Sequence, residues 1–419
     1  MRTPFAVMAV LGAVLLGLSA LLGEGGGPPA AAGGAPAPVA VIAQRVAAIR
    51  GLRFDLLPEP VSVSPEQARR EGLEDLDRSY PEGRRRADEE VLKLLELVEP
   101  DVDLRVVSAT TFSEGVAGYY DPRAKRLRTV QGAATGSRVL AEMILAHELD
   151  HALEDQRFGL GLEDEEGGSD DASLARLALV EGSATALMYR YVEKHFTQEE
   201  AFAGALSGAF ADTAALPPFL EAQLVWPYVG GQRFADVLLE RAGGRWDLVD
   251  LALRTRPPAT TEQVLHPEKY FQVESASRVR LRVGPLLGGG YSRTSAGTSG
   301  EFQTREILAA AGGGGSAEAA EGWGGDRYEL WQPAGGSCAA PCRERSVLVL
   351  RWVWDTPRDE REFVAKLRQW VADGLEAQPA GEGAWTLDGG AVAVARRGGA
   401  VSLALAPREP LARRLAASR

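Results

Sequence analysis

Histidine is scarce in this chain, with four in 419 residues. Any imidazole metal site must therefore be built from a very short list of positions. Cysteine is scarcer still. The two present, Cys338 and Cys342, are separated only by Ala339-Ala340-Pro341, with no second pair and no histidine nearby. That argues against a structural zinc of the Cys/His kind. It leaves a local disulfide in an oxidising compartment, or two free thiols, and the disulfide is the preferred reading. Basic runs interleaved with aromatics are missing too. The balance is 46 basic residues against 58 acidic, a net charge of −12, which argues against a nucleic-acid partner. No cysteine stands directly after the apolar run from Phe5 to Gly23, which excludes a lipoprotein anchor. Hydrophobic content of 45% and charged content of 25% are ordinary for a folded protein.

What is present is concentrated in one stretch, Ile144-Leu145-Ala146-His147-Glu148-Leu149-Asp150-His151. No Gly or Pro interrupts Arg138 to Phe158, and Ser137 is placed to cap a helix over that span. Residues i and i+4 lie one above the other on a helix face. His147 and His151 can then grip one metal ion, with Glu148 beside them as a base for water. The flanks are Leu, Ile and Ala, so this helix is read as largely buried. Two buried histidines one turn apart need a polar reason to be there.

A catalytic zinc site needs a third protein ligand and an open position. Ser169 to His195 reads as a second helix, with Ser169, Asp170 and Asp171 supplying cap and first-turn negative charge. On it, Glu181 interrupts the apolar stripe of Leu174, Leu177, Ala184 and Met188. A lone carboxylate there is costly unless paired or metal-bound. The expected ligand set is His147, His151 and Glu181, holding Zn2+. The competing assignment pairs Glu181 with Arg176 or Arg190. His195 is read as exposed.

This arrangement resembles the gluzincin group of zinc metallopeptidases, in which H-E-x-x-H is followed by a glutamate ligand on the next helix. The resemblance is carried by His147 to His151 and by Glu181-Gly182-Ser183-Ala184. Thermolysin-like members carry an Asp four residues after the ligand Glu, and Thr185 stands there in this chain. The group that orients a ligand histidine must then come from elsewhere. More widely, Arg50 to Pro407 is similar to a family of exported bacterial proteins regarded as metallopeptidases of unassigned substrate. That likeness rests on Gly118-Tyr119-Tyr120-Asp121-Pro122, Thr261 to Pro267, and Gly322-Trp323-Gly324-Gly325-Asp326. The resemblance implies a cleft-lining edge strand, which makes Gly118, Tyr119 and Tyr120 substrate-side residues. Zinc peptidases also place a His or Tyr opposite the catalytic Glu. His266 is the candidate for that role, against a structural histidine anchoring the turn before Pro267.

The rest of the chain is organised as follows. Phe5 to Gly23 is long enough to span a bilayer, at roughly 20 residues per span, and equally suits a signal-peptide core. The reading leans to an uncleaved membrane anchor with everything after it exported from the cytoplasm. Residues 24–38 read as a Gly/Pro/Ala tether, and 39–271 as a mainly helical, zincin-like peptidase domain with a small antiparallel β edge. Residues 272–419 read as a smaller α+β domain with an antiparallel sheet. Leu104 to Val107 and Val279 to Val283 are predicted strands. Phe202 to Phe219 is predicted helical, and Gly243-Gly244 splits two short helices, Phe234 to Ala242 and Trp246 to Arg254. The expected function is a zinc-dependent peptidase acting on proteins or peptides outside the cytoplasm, with Glu148 as the base. The alternatives are a catalytically silent peptidase-like binding module of the cell envelope and a zinc hydrolase of a non-peptide amide.

Overall fold

The computed structural model describes residues 35–114, 118–132, 137–160, 170–201, 216–335 and 338–418. The chain runs α1 (Val39–Arg50), β1 (Pro60–Val63), α2 (Pro65–Ser79), α3 (Glu82–Leu94) and α4 (Leu104–Glu114), then β2 (Gly118–Asp121) and β3 (Arg126–Val130). The long helices α5 (Arg138–Phe158), α6 (Asp170–His195) and α7 (Pro218–Arg241) follow, with α8 (Asp247–Thr255), α9 (Thr261–Leu265), α10 (Pro267–Gln272) and α11 (Gly284–Leu287). The C-terminal part holds β4 (Tyr291–Gly297), α12 (Gly300–Ala309), α13 (Ser316–Ala320), β5 (Trp323–Pro333), β6 (Val347–Trp354) and α14 (Pro357–Asp373). It ends with β7 (Gln378–Pro379), β8 (Ala384–Leu387), β9 (Gly390–Arg397), β10 (Ala400–Ala406) and α15 (Glu409–Ala416). The fold is α+β, as expected.

Local chemistry starts these helices where the sequence marks them. Ser64, Ser137 and Thr260 accept from the backbone N–H groups of Gln67, Leu140 and Gln263. Thr356 and Asp359 form a reciprocal capping box ahead of α14. Each satisfies donors that the first turn leaves unpaired.

Two sheets are present. The seven-stranded sheet has the order β4-β5-β6-β10-β9-β8-β7 and every pairing is antiparallel. Central β6 alternates strictly. Val347 and Val349 pack towards α15, while Leu348, Leu350 and Trp352 join α14 through Phe363, Leu367 and Trp370. The small sheet has the order β1-β3-β2. It is mixed, because β1 pairs parallel with β3 and only β2 pairs antiparallel. The proline-rich arm before Ser64 therefore supplies its outer strand.

Several expectations are corrected. Leu104 to Val107 is the start of a helix. Asp103 accepts from the N–H groups of Arg105 (2.7 Å) and Val106 (3.1 Å), and Glu89 accepts from Leu104 N–H (2.9 Å). Capping by two carboxylates outweighs the strand propensity of the valines. Val279 to Val283 forms no strand. Helix α7 continues through Pro227 and Gly230-Gly231, because those glycines let it cross α6 backbone to backbone. A Cβ on Gly182 would lie 2.0 Å from the Gly231 carbonyl carbon, and one on Gly231 would lie 1.9 Å from the Ala178 carbonyl oxygen. The membrane expectation is also corrected. Among the described residues no helix is long and apolar enough to cross a membrane, since the longest, α6 and α7, carry charged residues along their length. The run from Phe5 to Gly23 lies outside the described residues, as do 161–169 and 202–215.

The core runs across residue 272. Leu76, Tyr80, Leu92, Leu94 and Phe112 of the early helices share one apolar cluster with Trp323, Leu350 and Leu403 of the sheet and Trp370 of α14. Buried carboxylates stitch the same junction. Asp88 accepts from Tyr80 and Ser295, and Asp170 from Arg84 and Tyr328. Glu90 accepts from Cys342 N–H and Ser346. On either side of the junction, Asp171 accepts twice from Thr261, and Asp326 takes the N–H groups of Ser299 and Gly300 at 2.8 Å each.

Two predictions follow from this packing. Gly231→Ala must push α7 off α6, and is expected to cost about 3 kcal/mol or more, read as a lower urea midpoint. Burial outweighs the Arg84 charge at Asp170 and the hydrogen bonds at Asp326, and raises both to about 6. A folded value above the ordinary one means that this stability is present at acid pH and is lost as pH rises through about 6. At about 1.4 kcal/mol per unit, each group changes stability by up to about 3 kcal/mol. The stability gap between the wild type and Asp326→Asn should therefore narrow from pH 5 to pH 7. A gap that stays constant in urea titrations at the two pH values contradicts this.

Candidate metal centre

Helix α5 places His147 and His151 on one face, and α6 packs against it with Glu181 inward. Three donor atoms converge. His147 Nε2 lies 3.2 Å from Glu181 Oε2, His151 Nε2 lies 3.4 Å from the same oxygen, and the two Nε2 atoms are 3.0 Å apart. Metal–ligand bonds of about 2.0–2.1 Å in tetrahedral geometry put donors roughly 3.4 Å apart, so this triangle fits a zinc ion. Two Nε2 lone pairs facing one carboxylate oxygen are also the arrangement that a cation relieves. Neither Nδ1 has a hydrogen-bond partner among the described residues, which leaves each free to carry the ring proton while Nε2 ligates.

The electrostatics point the same way. His147, Glu148, His151 and Glu181 are 1%, 5%, 8% and 3% exposed. Burial pushes Glu148 up to about 8. Burial also opposes the charge on Glu181, but His151 and His147 outweigh it and hold it at about 2. His151 is drawn up to about 10 because Glu181, and then Glu148, outweigh its burial. Behind the ligands, Asp150, Glu154 and Asp250 gather on the single guanidinium of Arg50. Three carboxylates thus share one cation behind the ligand helices.

Glu148 is held in place. Its Oε2 accepts from the backbone N–H of Tyr120 at 2.7 Å. Strand β2 lies this close because Gly118 has no side chain; a Cβ there would meet Arg128 O at 3.0 Å and Ile144 at 3.3 Å. Gly118 and Tyr120 thus flank Glu148. The Tyr119 hydroxyl instead donates to Glu71 (2.6 Å) and that of Tyr120 to Asp155 (2.8 Å), so both tyrosine side chains are engaged within the fold.

The structure does not bring His266 to this site. Its Nε2 pairs with Glu301 at 2.8 Å, and that bond raises its pKa. The reason is position along α6. Helix α9 is tied to Asp171 through Thr261, and Asp171 sits ten residues from Glu181, about 15 Å along a helix. His266 is the turn-anchoring histidine. Tyr228 of α7, which sequence reasoning missed, reaches the donor triangle instead. Its ring stacks on His147 with centroids 6.0 Å apart, and its hydroxyl bonds to Glu181. Burial, then Glu181 and Glu148, push that hydroxyl well above its ordinary value, so it keeps its proton. The available signal was the pair Gly230-Gly231 in an apolar run, matching Gly182 beside Glu181. Cys338 and Cys342 form a disulfide between β5 and β6. A second acidic grouping, Glu262, Glu274 and Asp355, is already bridged by Lys269.

Comparison with known proteins adds one finding. Residues 287–416 match a family described as a domain of unknown function (DUF8575). The match covers the seven-stranded sheet with α12 to α15 and stops short of the metal centre. No curated protein and no solved structure matches the chain.

Purified without chelator, the protein should carry about one zinc per chain by elemental mass spectrometry, and His147→Ala should lose it. A folded wild type that takes up no zinc when it is offered contradicts the site.

Proposed function

We propose that this chain is a zinc-dependent hydrolase of the gluzincin kind that cleaves peptide bonds of exported proteins or peptides. The observation that carries the reading is the donor triangle of His147, His151 and Glu181 with Glu148 fixed beside it by the Tyr120 amide. When bound, zinc supplies Lewis-acid polarisation of the scissile carbonyl and lowers the pKa of the attacking water.

The chain's own residues do the rest. Glu148 takes the water's proton and passes it to the leaving amine. The Tyr120 N–H keeps one carboxylate oxygen occupied, so the other is aimed at the reacting water. The protonated Tyr228 hydroxyl, which bonds to Glu181 in this structure, shifts its proton to the oxyanion as charge develops there. That is the role expected of His266. Strand β2 is an edge of its sheet and lies against α5, which supports a peptide adding alongside as a further strand and favours peptides over other amides. The Cys338–Cys342 disulfide supports an oxidising compartment, hence export.

Glu148→Gln should keep zinc and lose turnover of a peptide library by about 10²–10⁴-fold. Tyr228→Phe should keep zinc and lower kcat by about 10²-fold. Full activity in Glu148→Gln removes the mechanism. A wild type that holds zinc and peptides without cutting any favours the binding-module alternative.

A further inference from the structure

The two ligand-bearing helices are joined behind the metal centre by a residue from the start of the described chain. Arg50 is the last residue of α1, and its side chain is fully buried. Its Nη1 donates to both carboxylate oxygens of Asp150 (3.0 and 2.9 Å), to Glu154, and to Ser183 Oγ (3.0 Å). Its Nη2 donates to Asp250 on α8 at 2.7 Å, and its plane lies over Trp246, 4.2 Å from the ring centroid. The positions of these partners matter. Asp150 adjoins His151, Glu154 follows it by one turn, and Ser183 stands two residues after Glu181. Ser183 in turn donates to Glu154. One planar guanidinium thus fixes α5 to α6 at the level of their ligands.

We infer that Arg50 is a positioning residue for the metal centre, and that α1 clamps the ligand triangle in register. The inference rests on the reading of His147, His151 and Glu181 as ligands. The physical argument is tolerance. Metal ligands must hold distances to about 0.2 Å, and helices that meet only through apolar side chains can shift by more than that. A forked donor contacting both helices restricts their rotation and slide. The clamp orients the helices that carry the ligands, and neither ring directly.

A control lies on the same helix. Arg45 also bridges α5 and α6, through Glu142 (3.0 Å) and Tyr191 (2.9 Å), but those residues stand five before His147 and ten after Glu181. If the clamp acts only through general stability, both arginines should matter alike.

The test uses the full chain, with zinc affinity read by competition against a chromophoric chelator and folding read by circular dichroism. Arg50→Gln and Ser183→Ala should weaken zinc affinity about 10- to 100-fold. Arg50→Lys should fall between them and the wild type, and Arg45→Gln should stay within about threefold. Ser183→Ala keeps every buried charge paired, so it serves if Arg50→Gln does not fold. Folded Ser183→Ala with wild-type affinity overturns the inference, as does an equal loss in Arg45→Gln. A wild type that binds no zinc fails at an earlier step, removing the metal reading and this inference together.

Discussion

Buried charge around α5 is the constraint on which the structure depends. Glu148, Asp150, Glu154 and Glu181 are withdrawn from water, and an unpaired buried carboxylate costs several kcal/mol. The fold answers in two ways. Arg50 carries three of the nearby carboxylates, Asp250 included. The two histidines face Glu181, which is where the proposed divalent cation would sit. The position of α1, the crossing of α5 and α6, and the approach of β2 to Glu148 all serve to keep these groups partnered.

Close approach is the second requirement. Gly182 and Gly231 bring α6 and α7 together at the backbone, and this brings Tyr228 onto His147. Gly118 does the same for β2 over α5. Glycine has an entropic cost inside a helix or strand, so each of these sites trades local propensity for distance. The result is a centre walled by two helices, a third helix and an edge strand, each held within hydrogen-bond or stacking reach.

The sheet is more than an appendage to this centre. Its core is continuous with α2 to α4, and the first turn of α6 is bonded to it through Asp170 and Tyr328. The helix that bears Glu181 is therefore anchored at one end by the sheet and in its middle by Arg50. The family match at 287–416 covers only the first of these anchors. The proposed metal centre lies in the part of the chain that the match leaves out.

The sequence by itself determined what short-range periodicity and capping can determine. His147 and His151 share a face because 3.6 residues make a turn. Glu181 stood out because it breaks an apolar stripe. Ser137 marks the start of α5. What only the tertiary structure decided involves partners remote in the chain. Arg50 meets Asp250 across 200 residues, and no local pattern announces it. His266 looked catalytic by type, but the length of α6 carries it to Glu301. Leu104 to Val107 looked like a strand until Asp103 and Glu89 capped it as a helix. Gly230-Gly231 lies inside α7 because α6 supplies the backbone it packs against. Local spacing settles which residues share a face, while long-range packing settles what that face meets.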